Sequence, residues 1–188
     1  LARTAVRPSW LAVGLVALVG PLVPALPPVV VYAPFALSVV VLGLPHGAVD
    51  HLVPERLAGL DRRRSVAAVG LLYAVLMAAY AVGWFLAPTA AFVSFVALTW
   101  FHWGQGDVYA LVAFGGADHL PTAAERALAL VVRGGLPMLA PLVAFPGSYR
   151  AVATAVVGLF GGDAAALAPA FGPTGRLVAG GGLAATLA

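Results

Sequence analysis

Two short stretches carry most of the side chains able to do chemistry: "PHGAVDH" at 45–51 and "FHWGQGD" at 101–107. Each pairs a histidine, His46 or His102, with a nearby glycine and then an aspartate, Asp50 or Asp107. Imidazole is the commonest protein ligand of a transition metal, and its second ring nitrogen is often held by a carboxylate. Residues i and i+4 share a helix face, so Asp50 is placed to orient His46. Asp107 stands at i+5 from His102. It reaches that ring only on a distorted helix, or else serves a neighbouring helix. Glycine beside each histidine lets helices approach closely. The expectation is two imidazoles from separate helices on one cation, with Asp50 and Asp107 supporting them. His51 lies about 140° from His46 around an ideal helix, which suits an interfacial or supporting place. His119, in "GGADHLP", reads as a solvated loop residue.

The elements that must hold these groups are apolar. The chain has 188 residues, of which 62% are hydrophobic and 9% charged. Soluble domains carry roughly 25% charged residues, so the class is an integral-membrane protein. There is no cysteine and no lysine, which excludes disulfides and thiolate metal sites. The net charge of +3 comes from ten arginines. No basic patch interleaved with aromatics accompanies them, so nucleic acid is not an expected partner.

Charge gaps count the spans. Between Arg7 and Asp50 lie 42 uncharged residues, and between Arg64 and Asp107 another 42. One span takes about 20 apolar residues, so each gap holds a hairpin, turned at Pro27-Pro28 and at Pro88. Helices are expected near 9–26, 29–49, 65–87, 89–113 and 123–145. A shorter one is expected near 149–162, and another from about 175. The predicted fold is an all-α polytopic bundle of six to seven spans, a single integral domain over 1–188 in the cell membrane. The chain stops inside an apolar run, so the protein is expected to continue beyond it. Arg3, Arg7, Arg56, Arg62, Arg63, Arg64 and Arg126 all fall on one side if the N-terminus is cytoplasmic, leaving Arg150 outside. His46 and His102 then lie roughly 27 and 21 Å along inward-running helices, at similar depth toward the cytoplasm.

Along the span near 89–113, Phe95, Thr99, His102 and Tyr109 recur at helical spacing. With Trp103 beside His102, they are the candidates for contact with an apolar substrate. Tyr73, Met77, Tyr80 and Trp84 make a similar stripe on the preceding span, read chiefly as packing and an interfacial belt. Arg133 is the odd charge of its span. It either snorkels toward the cytoplasm, or faces a cavity or an acid such as Asp107. Two other classes fit histidines and acids within spans. A cytochrome b-like protein would use the imidazoles on haem. A proton or solute transporter would use Asp50 and Asp107.

"PHGAVDH" and "FHWGQGD", in this order and spacing, resemble the signature segments of the Brp/Blh family. These are integral-membrane β-carotene 15,15′-dioxygenases of bacteria and archaea that make retinal for rhodopsins. The resemblance implies a non-haem Fe(II) enzyme that cuts the central double bond of β-carotene with O₂. By the same resemblance, His46 and His102 match the first two iron ligands, and a functional link to a rhodopsin is implied. The family's other ligand histidines stand on a later helix. This sequence has no histidine after His119, so the remaining ligands are expected beyond its end.

Overall fold

The computed structural model describes residues 7–22, 27–38, 40–41, 49–114, 116 and 120–187. Among them the chain is helical, with no strand. The helices are α1 (Arg7–Val19), α2 (Pro28–Ser38), α3 (Leu52–Ala58), α4 (Arg62–Leu86), α5 (Pro88–Phe114), α6 (Ala123–Ala144), α7 (Pro146–Gly158), α8 (Ala168–Phe171) and α9 (Pro173–Leu187). Short 3₁₀ turns cover Gly20–Leu22 and Ala165–Leu167.

Local chemistry sets most boundaries. Proline opens α2, α5, α7 and α9, where its fixed φ suits a first turn and its missing N–H costs nothing. Asp61 stands before α4, and its carboxylate accepts the Arg64 N–H at 3.1 Å. Thr122 and Glu125 form a reciprocal capping box at the start of α6. Gly59 ends α3 in the left-handed region, at φ 63°. At the far end of α6 the Arg176 guanidinium donates twice to the Val143 carbonyl, at 3.0 and 2.7 Å.

The expected helices near 65–87, 89–113 and 123–145 match α4, α5 and α6 within three residues. That near 149–162 starts earlier, at Pro146, and ends at Gly158. The expected 29–49 helix is described as α2 over Pro28–Ser38, with 42–48 outside the described residues. Past that gap the chain turns and starts the separate helix α3. Pro54 explains the new start, because within a continuous helix its ring would strike the carbonyl of Asp50.

Two helices, α4 with 25 residues and α6 with 22, are long and apolar enough to cross a membrane. With 27 residues, α5 is long enough too, but its C-terminal half carries His102, Gln105 and Asp107. The structure separates into two compact units, Leu1–Leu72 and Tyr73–Ala188. In the first, Ser65 is fully buried and its hydroxyl donates to the His51 carbonyl, tying the start of α3 to α4. In the second, α5, α7 and the segment after it build a small core of Phe92, Ala153, Val157 and Ala164. Trp84 packs on that core and stacks on Phe160 at 4.9 Å. Elsewhere large apolar side chains face outward. On α4, Leu71 and Met77 are each 67% exposed, as on a helix solvated by something other than water.

Candidate functional site

In the first unit, Asp50 occupies the turn just before α3 and lines a shallow depression with Arg56. His51 is half-buried, with Nε2 3.9 Å from Oε1 of Glu55 one turn further along α3. His46 lies outside the described residues, as does His119. The predicted pairing of Asp50 with His46 therefore lies outside them as well.

In the second unit the candidate residues ride on α5, and glycines decide what they meet. A Cβ on Gly104 would fall on the Leu130 carbonyl of α6, and one on Gly134 would fall on the Trp100 carbonyl of α5. Only hydrogen at these two positions lets the helix backbones come this close. The Trp100 indole lies over Gly135, within 2.8 Å of where its Cβ would be, and donates to the Val131 carbonyl at 2.7 Å. One turn beyond this crossing, Arg133 Nη1 meets Asp107 Oδ2 at 2.8 Å. Both side chains are about half exposed. Of the two places expected for Arg133, the structure shows the pairing with Asp107. Of the two expected for Asp107, it shows service to a neighbouring helix, because α5 is an undistorted helix and five residues carry Asp107 about 140° from His102.

Gly104 is buried against α6, whereas His102, two residues before it, is exposed. Two residues turn a helix by about 200°, so His102 faces away from α6. Phe95, Thr99 and Tyr109 share its side of α5 by the same periodicity. Phe95 is half exposed and contacts Trp84, with ring centres 6.5 Å apart. Thr99 is half-buried. Trp103 is 57% exposed, and Tyr109 lies edge-on to Phe114 at 6.1 Å. The four stripe residues thus form one continuous strip, with Trp103 on its flank. On α4, the Tyr80 hydroxyl donates to the Ala91 carbonyl at 3.1 Å and bonds the Ser94 hydroxyl at 3.0 Å. That half of the α4 stripe is packing, as expected.

No cluster of three His, Cys, Asp or Glu side chains suited to a metal occurs among the described residues. A non-haem iron oxygenase centre needs several imidazole or carboxylate ligands converging on one ion. His102 offers one imidazole and Asp107 is engaged by Arg133, so the described residues alone do not fit an iron centre. Sequence reasoning missed a cavity of about 530 Å³ bounded by α5, α6 and α7, into which Phe95 looks. Its signal was present as Phe92, Phe95 and Val96 on one side of α5, but the facing residues come from two later helices.

Comparisons with known proteins bear on these segments. A family model described as Beta-carotene 15,15'-dioxygenase matches residues 37–188, which include both histidine segments. Probable beta-carotene 15,15'-dioxygenase Blh of Halobacterium salinarum is 47% identical over 178 residues, covering 94% of this chain and 51% of that protein. Probable beta-carotene 15,15'-dioxygenase Brp of the same organism is 34% identical over 154 residues, covering 80% and 41%. The chain therefore spans about half the length of the curated relatives it matches. No solved structure matches it. With more than three quarters of its length under the family model, the chain belongs to the beta-carotene 15,15'-dioxygenase family.

Proposed function

We propose that the protein cleaves β-carotene at its central 15,15′ double bond with O₂, giving two molecules of retinal. The observation that carries this reading is the family match over 37–188, which takes in His46, Asp50, His102 and Asp107. The balance is simple. One carbon–carbon double bond and the O–O bond break, and each freed carbon takes one oxygen atom as an aldehyde. His46 and His102 are proposed as two of the Fe(II) ligands, on the strength of the sequence resemblance. Bound iron would supply the electrons that O₂ activation needs. Asp50 and Asp107 are proposed as supports of the site, Asp107 through the α5–α6 contact that it makes with Arg133. Phe95, Thr99, Trp103 and Tyr109 are proposed to contact the polyene. The exposure of Phe95, Trp103 and Tyr109 supports this, since a substrate dissolved in lipid can reach an outward strip without passing through water. The retinal formed would serve a rhodopsin, as a functional link.

The enzyme is proposed to be a single multi-pass domain of the cell membrane, with six to seven spans and a cytoplasmic N-terminus. Support comes from two span-length apolar helices, from the outward-facing leucines and valines of α1, α2 and α4, and from the arginine distribution.

The test is a β-carotene-producing host given the full-length gene. Retinal should accumulate while the orange colour fades, and His46→Ala and His102→Ala should each abolish both changes. No retinal from the unmodified gene would remove the activity. Undiminished retinal from either variant would remove that residue as a ligand.

A further inference from the structure

The cavity bounded by α5, α6 and α7 has about 530 Å³ of space and is walled chiefly by Phe92, Phe95, Met138 and Phe145, with the hydroxyls of Ser148 and Tyr149 as its polar side-chain groups. That size and lining are those of a small-molecule site, for which about 300–1,000 Å³ of mostly apolar space is usual. Its place along α5 is what gives it a meaning. Phe95 and His102 are seven residues apart, so they stand within about 20° on one helix face and about 10 Å apart along the axis. That is of the order of the extended half-chain of a C40 carotene, from the central bond to the terminal ring. Residues between them, such as Thr99, line the same strip.

We propose that this cavity is the seat of one terminal ring of the carotenoid, and that its depth decides which double bond is brought level with His102. The inference rests on the carotene-cleaving reading and deepens it. A polyene is a rod of repeating, nearly identical double bonds, so the local chemistry at the cleavage point distinguishes poorly between neighbours. Position must be read from an end, and the bulky ring is the feature that differs from the rod. A pocket open at its rim, at a fixed distance along a rigid helix, measures that position. Phe92 is buried in the core cluster and forms a firm wall. Phe95 and Phe145 are exposed at the rim, where the polyene would leave the cavity toward His102.

The test uses the full-length protein in membranes or detergent, with two C40 carotenes of equal polyene length: β-carotene, which has cyclic ends, and an acyclic carotene. Met138→Trp and, independently, Ser148→Phe reduce the cavity. The ratio of β-carotene to acyclic cleavage should fall roughly tenfold or more in each, since misfit of a few carbons in an apolar pocket is worth about that much. Phe95→Ala enlarges the mouth and should add off-centre products of unequal length. An unchanged substrate ratio in both filled variants, or an equal loss on the two carotenes, would overturn the ring seat. Failure of the underlying reading is distinct from this, because the unmodified protein would then make no retinal at all, and the ring seat would fall with it.

Discussion

At the scale of single residues, the pairing of Asp107 with Arg133 is the feature with the clearest energetic consequence. Each charge alone would be costly on an apolar helix, about 2.5–3.5 kcal/mol at mid-span on insertion scales. Together, at 2.8 Å, they present one neutral unit. The pair is about half exposed, so its coupling should resemble an accessible ion pair, about 1 kcal/mol, rather than the 3–5 kcal/mol lost when a fully buried pair is broken. A double-mutant cycle with Asp107→Asn and Arg133→Gln, read by thermal unfolding in detergent, should return a coupling of that order. A coupling of zero would mean that the contact contributes nothing to the α5–α6 fit. The pair also shows why residue-level reading reached only part of the site. Spacing within a helix can propose that Asp107 does not serve His102, since i+5 lies on another side. It could name the pairing with Arg133 only as one alternative beside snorkelling, because the choice depends on how two residues 26 apart in sequence, on different helices, come into register.

At the scale of elements, register is set by glycine. Gly104 and Gly106 sit on the same helix, two residues apart, yet their surroundings differ completely. A Cβ at Gly104 would meet the Leu130 carbonyl, whereas one at Gly106 has nothing within 4 Å. Glycine inside a helix costs roughly 0.5–1 kcal/mol relative to alanine. Gly106→Ala should therefore be stabilising by about that amount. Gly104→Ala should instead be destabilising by about 1–3 kcal/mol, the range for forcing extra carbon into a packed contact, and it should weaken the Asp107–Arg133 coupling as well. Melting temperatures of the two variants decide the matter. Equal shifts would mean that the close crossing does not govern packing. The boundaries of α4, α5 and α6 were legible because their signals are local: a proline at a first turn, a capping threonine, a charge at each end. The expected helix ended at 49 and α3 was not foreseen, because the seven residues Leu52–Ala58, with Glu55 and Arg56 among them, are too short and too charged to stand out from the link between two spans. The cavity under Phe95 was illegible for a different reason. Its walls come from α6 and α7, which no single-helix periodicity can bring together.

At the scale of the molecule, orientation is the property on which the proposed chemistry depends, because it decides which face of the bilayer His102 and Asp107 approach. Arginines are expected to stay on the cytoplasmic side of short loops, an effect of insertion rather than of folding. The distribution here is lopsided. Arg56, Arg62, Arg63 and Arg64 cluster between 50 and 64, against Arg150 near the α6–α7 junction in sequence and Arg176 reaching the end of α6. If α4, α5 and α6 each cross the membrane, the 50–64 segment and that junction must lie on opposite sides. Residues 1–188 contain no cysteine, and labelling of the unmodified full-length protein supplies the background against which each introduced residue is read. Leu57 is 84% exposed on α3, and Gly147 has open space where a side chain would grow. In intact cells carrying the full-length protein, Gly147→Cys should react with a membrane-impermeant maleimide, and Leu57→Cys only after the membrane is opened. Reaction of Leu57→Cys from outside would invert the topology. Reaction of both from the same side would mean that an even number of crossings separates them, and α5, with its polar C-terminal half, would be the helix to remove from the count of spans.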